Sequence, residues 1–253
     1  MSLHQVEGII LRVREFGESD KILVIYTKEI GKIDAIAKGA RKFKSKLAAA
    51  TQQFSHGYFY LYRGKGMFLL GQAELKGSFP RLHGDLERLA YASYLCELTE
   101  NFVPAEESQP EVFYHLRQAL EKVNNWEEYR LAVIFFQLKL VSALGYKPVV
   151  DHCLNCGKER FSGQLFFNPL QGGVICEECN KTVRGKSRPL SLNCSAVLSH
   201  LQNTDWERLT VLKVSTETKE ELLAHLASYI NVRLEKRLKS VEFIKKLKKM
   251  PLA

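Results

Sequence analysis

The spacing of apolar and polar positions changes partway along the chain, and the change separates two kinds of structure. Through the first eighty residues, short apolar runs alternate with polar residues at a period of two, the signature of half-buried strands. Five runs stand out: VEGIILRVR, KILVIYT after the turn signal GESD, GKIDAIAKG, FSHGYFYLYRG and GMFLLGQAEL, the last two joined by RGKG. In the third run Ile33, Ala35 and Ala37 alternate with Lys32 and Asp34. In the fourth, Phe59 and Leu61 oppose a row of Tyr58, Tyr60 and Tyr62. Between these two runs lies KSKLAAATQQ, a good helix former or an irregular linker. Five short strands with an insert at that place match the layout of an OB-fold barrel, although an SH3-like barrel also has about five strands.

From about Asp85 the period becomes helical. DLERLAYASYLCELTENF and PEVFYHLRQALEKV repeat apolar positions three and four apart, and Pro110 suits a first helical turn. The stretch from Leu131 to Leu144 is apolar almost all round and too short to span a bilayer, so a buried helix is expected, closed by Gly145. SLNCSAVLSHLQN and TKEELLAHLASYINVRLEKRLKSVEFIKKLKK read as further helices, with Thr218 and Glu221 as a capping box. The expected fold is α+β: an N-terminal five-stranded OB barrel over residues 1–80, then a helical domain in two parts, 81–150 and 186–253. A cysteine-bearing insert over 151–185 separates the parts, and a basic helix ends the second.

Charge adds a direction to this picture. The net charge is +9, but residues 1–80 carry 13 cations against 7 acids and residues 232–253 carry 8 against 2, while the middle is mildly acidic. Basic ends around an acidic middle favour a polyanion partner, nucleic acid before acidic membrane. The densest cluster is IAKGARKFKSK, with Lys38, Arg41, Lys42, Lys44 and Lys46 and no acid among them. These five, with Arg14, Arg63 and Lys65, are the candidate nucleic-acid contacts, and Arg12 is a further one. A solvated loop is the bland alternative. The tyrosine row would stack bases if it faced solvent, or pack against the helical domain. The basic C-terminal run could contact DNA, dock an acidic peptide, or be a solvated helix end; a membrane-surface helix is a weaker fourth reading. With no basic-then-apolar leader and no span-length apolar run, a cytoplasmic location is expected.

The cysteines carry the most specific signal. CLNC holds Cys153 and Cys156, CEEC holds Cys176 and Cys179, and 19 residues separate the pairs. That spacing is characteristic of a four-thiolate zinc site, in which each knuckle brings two thiolates to one ion. Two disulfides or two redox dithiols would use the same residues. A reducing compartment disfavours the first, and the aromatic hairpin FSGQLFFNP between the pairs disfavours the second. With all four positions filled by sulfur, one structural Zn2+ is expected. His152 is read as a bystander, and Cys96 and Cys194 as ordinary buried thiols. No phosphate-binding loop, dinucleotide fingerprint, zincin helix or nucleophile elbow is present, so an enzyme is not expected.

Taken in order, these motifs resemble the bacterial RecO family of recombination mediators. The resemblance is carried by GIILRVREFGESDKILVIYTKEIGKIDAIAKGARKFKSKL, LYRGKGMFLLGQAEL, DLERLAYASYLCEL and LGYKPVVDHCLNCG…FNPLQGGVICEEC, over roughly residues 5–180. It implies an OB-fold, a helical domain and a four-cysteine zinc element. It also implies a non-enzymatic mediator that binds single- and double-stranded DNA, anneals complementary strands and associates with RecR and the C-terminal tail of single-strand-binding protein. Such a protein helps RecA load onto coated strands and acts in the cytoplasm near the nucleoid. Two alternatives remain: an adaptor whose helical domain binds acidic partner tails, and an RNA-binding factor on the same barrel.

Overall fold

The computed structural model describes residues 2–77, 79–161, 163–182, 186–234 and 236–247. Two compact units are present: residues 1–129 with 238–253, and residues 130–237.

The first unit opens with β1 (Leu3–Phe16), β2 (Asp20–Thr27), β3 (Gly31–Ala37), β4 (His56–Tyr62) and β5 (Phe68–Gly77). They close into a barrel in the order β1-β2-β3-β5-β4, antiparallel except for β3 against β5. The long β1 makes closure possible, because it pairs with β4 through its first half and with β2 through its second. A register shift between Ile10 and Arg12 bends it at the handover. The alternation seen in the sequence is what fills the barrel: Val6, Ile10, Leu23, Ile25, Ile33, Ala35, Ala37, Phe59, Leu61, Phe68 and Leu70 form one buried cluster. Small Ala35 and Ala37 and large Phe59 and Phe68 share this cluster, the mixture of sizes that dense packing uses.

The helices α1 (Pro80–Gly84), α2 (Leu86–Phe102) and α3 (Pro110–Asn125) follow. Asp85 caps α2 by accepting from the amides of Glu87 and Arg88, and Pro110 opens α3 as its position suggests. The buried Arg88 ties the two together: its Nη1 donates to the carbonyls of Val123 at 2.7 Å and Trp126 at 2.9 Å.

The second unit starts one residue into α4 (Tyr129–Ala143), in which every residue from Leu131 to Leu138 is buried, as its all-round apolar sequence predicts. It ends at Gly145, where the Tyr146 amide reaches back to the Val141 carbonyl. Next come β6 (Leu165–Asn168), β7 (Gly173–Cys176), the short α5 (Glu177–Asn180) and β8 (Arg188–Leu190), with the strands ordered β7-β6-β8. Then α6 (Leu192–Gln202), α7 (Trp206–Leu209) and α8 (Thr216–Leu234) complete the unit, and α9 (Lys239–Leu247) returns to the first.

Two local expectations are corrected. Thr218 does not cap α8: the helix begins two residues earlier, and the Ser215 hydroxyl accepts from the Thr218 amide. Glu221 serves another helix instead, accepting from the Ser191 amide at 2.7 Å and hydroxyl at 2.6 Å at the start of α6. The C-terminal run is also not one helix, since α8 stops at Leu234 and α9 begins at Lys239 with Leu238 buried between them. Lys248 and Lys249 lie outside the described residues. No helix among the described residues is long and apolar enough to cross a membrane.

Candidate nucleic-acid interface and metal centre

The segment from Lys38 to Ser55 leaves β3 and returns to β4 as a succession of turns rather than a helix. Its helical propensity is overridden by tertiary anchors. Ala40, Ala50, Thr51 and Phe54 are buried, the Phe54 amide donates to the Ile10 carbonyl, and the Ile10 amide donates to Ser55. Phe54 itself sits at φ +69°, outside helical backbone. The Lys21 ammonium donates to both the carbonyl and the hydroxyl of Thr51.

The basic end of this loop is fixed to the turn between β1 and β2. Gly39 turns the chain at φ +64°, a conformation costly for residues with a Cβ, and its amide donates to Asp20 Oδ1 at 2.7 Å. The Arg41 amide donates to the Ser19 carbonyl at 2.9 Å, and its guanidinium pairs with Glu15 at 2.9 Å. Arg41 therefore has an acid partner that the sequence hid, 26 positions away, and it holds the loop to the barrel. Lys38, Lys42, Lys44 and Lys46 are exposed, and no ion pair among the described residues engages them.

Strand register places the remaining cations. Arg14 pairs with Ile22, Ile22 with Ile36 and Ile36 with Leu69, so Arg14 shares a row on the outer face of β1, β2, β3 and β5 with three half-buried aliphatic residues. The Lys38–Lys46 loop leaves β3 at the end nearest this row. Arg63 and Lys65 lie in the turn before β5, toward the start of β3, because Phe68 pairs with Ala35 in parallel. At about 3.3 Å per residue the register separates the two groups by roughly 20 Å. They flank the face rather than forming one patch. Lys65 is exposed, but Arg63 pairs with Glu106 at 2.7 Å and lies over the Phe68 ring. Arg12 pairs with Glu100 in a cleft whose lining also includes Lys32, Asp34 and Glu106, a mixture of signs that gives a polyanion little net attraction.

Phe59 and Leu61 do line the barrel, which turns Tyr58, Tyr60 and Tyr62 outward, where each is half-buried. Side chains of β5 occupy two of them: the Lys76 ammonium lies 4.1 Å from the Tyr58 ring centre, and the Tyr60 hydroxyl donates to Glu74 at 3.2 Å.

In the second unit the four cysteine sulfurs lie within 4.8 Å of one another. The first knuckle is a turn closed by the Gly157 amide donating to the Cys153 carbonyl, with Gly157 at φ +73°. The second begins at the end of β7, where Cys176 pairs with Leu165 of β6, and runs into α5. A tetrahedron of sulfurs about an ion at Zn–S distances has edges of about 3.8 Å. The Cys156 and Cys176 sulfurs are 3.9 Å apart, close to that edge, and with all four within 4.8 Å the set is suited to hold one metal ion. All six cysteines are unbridged in this structure.

The sulfurs also influence one another's ionisation. Burial opposes ionisation of Cys153, but amides of Cys176, Cys156 and Asn155 outweigh it and draw the thiol down to about 6. At Cys179 a hydrogen bond from Asn155 favours the thiolate, yet the neighbouring sulfurs and desolvation prevail and push it up to about 12. Several negative charges cannot share this volume unaided, and a bound cation reverses that. His152 stands outside the cluster, 2.9 Å from Asp151. Cys96 and Cys194 are buried, and burial raises both thiols well above the ordinary range.

A closed barrel in OB strand order, followed in the chain by helices and a four-thiol centre, defines the class: an OB-barrel protein with a metal-binding knuckle. Residues 1–79 match the family described as Recombination protein O N terminal, and residues 83–242 match Recombination protein O C terminal. The chain is similar to the DNA repair protein RecO of Symbiobacterium thermophilum, 38% identical over 98% of this chain and 99% of that protein. It is also similar to the protein of that name from Alkaliphilus metalliredigens, 37% identical over 97% and 100%, and from Listeria monocytogenes, 32% identical over 98% and 96%. The chain belongs to the Recombination protein O family. That family is named for recombination and its members for DNA repair, not for an enzymatic activity.

Proposed function

We propose that the protein is a non-enzymatic recombination mediator that binds single- and double-stranded DNA and anneals complementary strands. It helps RecA load onto strands coated by single-strand-binding protein, through association with RecR and with that protein's C-terminal tail. The work is done in the cytoplasm, at the nucleoid. Residues 1–80 are the DNA-binding domain, residues 151–185 the insert, and the four cysteines hold one structural Zn2+. Such an ion supplies no open coordination position and so no reaction; the cysteines contribute a rigid cross-link between β7 and the first knuckle.

The observation that carries the DNA reading is the loop at the end of β3. Lys38, Lys42, Lys44 and Lys46 are held in solvent by a base that is itself hydrogen-bonded to the barrel. Like charges so placed repel one another, and a polyanion relieves that repulsion while releasing its counterions. Arg14 extends the surface across the β2–β3 face, and Lys65, with Arg63 beside Glu106, borders its far end.

The test is a salt titration of single-strand affinity. Replacing the four lysines by Ala is expected to flatten the log–log slope by up to about three, at roughly 0.7 per lost phosphate contact. Arg41 is left in place because it anchors the loop. A folded four-lysine variant with the wild-type slope rules the loop out as the DNA surface. Competition by RNA of the same sequence separates the DNA reading from an RNA-binding one.

A further inference from the structure

The most exposed aromatic residue described in the molecule sits inside the basic loop. Phe43 is 100% exposed, between the exposed Lys42 and Lys44. Other phenylalanines of the same unit are used in the ordinary way: Phe54 and Phe59 are 1% exposed and Phe68 3%. Phe43 obtains none of that burial, although buried Ala40 and Ala50 lie to either side of it in the chain.

Nor is its position left to chance. Gly39 and Arg41 are hydrogen-bonded to the β1–β2 turn, the Lys42 amide donates to the Gly39 carbonyl, and the Ser45 amide donates to the Lys42 carbonyl. The tip is a built turn, and its one large apolar group points into water among cations.

We propose that Phe43 is a base-stacking residue: its ring takes the face of an unpaired base while the neighbouring lysines hold the adjoining phosphates. The proposal rests on the reading of this loop as the DNA surface and adds to it a preference for strand state. Every base offers a π-face, so stacking is tolerant of sequence. In a duplex those faces are already covered by neighbouring base pairs, so the ring finds no partner without unstacking them. An anionic bilayer is the other surface that accepts a ring among lysines. Membrane-surface segments, however, present a broad apolar helix face, whereas this tip has a single ring on a turn.

The experiment compares wild type, Phe43→Ala and Phe43→Trp on a single-stranded oligonucleotide and on the matching duplex, across a range of salt. Phe43→Ala is expected to lose about five- to hundred-fold in single-strand affinity, the span of one lost base stack. The loss is the same at every salt concentration, so the slope stays at the wild-type value, and duplex affinity barely moves. That pattern is opposite to removal of a lysine, which changes the slope. Phe43→Trp keeps the affinity, and its emission, taken as the difference from wild type, is quenched by the single strand. Unchanged affinity of Phe43→Ala overturns the proposal. So does an equal loss on single strand and duplex, or a difference emission of Phe43→Trp that responds to anionic phosphatidylserine vesicles and not to the single strand. Wild-type protein without salt-dependent single-strand binding overturns the DNA reading of the loop itself, an outcome visible before any variant is made.

Discussion

At the scale of single residues, the metal centre and the basic loop differ in how far the sequence reveals them. Cys153, Cys156, Cys176 and Cys179 are legible because a tetrahedral ion imposes its spacing on the chain, and their sulfurs do converge. Metal analysis of the purified protein is expected to give about one zinc per chain, the stoichiometry of one four-thiolate site. Cys153→Ser or Cys176→Ser should abolish it and lower the unfolding midpoint, because structural metal binding contributes directly to folding. Cys96→Ala and Cys194→Ala should leave the metal content alone, since both thiols are buried apart from the cluster. Zinc content that survives Cys176→Ser would remove the centre from these four residues. The loop cations were legible only as a group. Their sequence does not say that Arg41 is neutralised by Glu15, because that contact depends on the β1–β2 turn meeting the end of β3. Nor does it say that Phe43 is exposed, since an isolated phenylalanine ordinarily reads as core.

Among elements, the strands followed from alternation and the helices from their period, but the joints between elements did not. KSKLAAATQQ reads equally as a helix former or an irregular linker, and the barrel decides for turns by burying Ala50, Thr51 and Phe54. The α8–α9 break is invisible for a related reason: the helical pattern continues through it, and the contact that fixes the start of α9 is tertiary. Glu97, near the end of α2, caps α9 by accepting from the Lys239 amide at 3.0 Å, the Ser240 amide at 2.8 Å and the Ser240 hydroxyl. A side chain 142 positions away thus does what a local Ser or Asp usually does. Glu97→Ala is expected to cost on the order of 1 kcal/mol, typical of a lost N-cap, and to speed amide hydrogen exchange through Lys239–Leu247 before any other helix. Exchange in α9 that matches wild type would show that packing against α2 alone holds it.

For the molecule as a whole, acid stability should be set in part by two buried imidazoles, one in each unit. Burial lowers His56, outweighing a hydrogen bond from its ring to Glu7, and burial likewise lowers His225 beside Glu221. The unfolded chain then binds more protons than the folded one once pH falls below the ordinary histidine value of 6.5. The stabilisation is complete above that value and is lost as pH drops through it toward the folded values. The Glu7 carboxylate extends the loss to lower pH: burial raises it, but hydrogen bonds from His56 and Lys76 prevail and hold it below its ordinary 4.5. Urea midpoints measured from pH 8 to pH 5 are expected to begin falling near the histidine value, and a His56→Gln, His225→Gln variant to fall less. Equal slopes for the two proteins would contradict this account. The return of α9 to the first unit has a further consequence for how the protein is made. The barrel and α2 leave the ribosome early, yet the helix that packs on α2 is synthesised only after all of the second unit. During translation the flank of α2 stays bare and the first unit stays unfinished while its neighbour folds. Completion of the barrel-bearing unit thus waits until the second unit has been synthesised, and a nascent chain stalled before residue 238 carries α2 without its last packing partner.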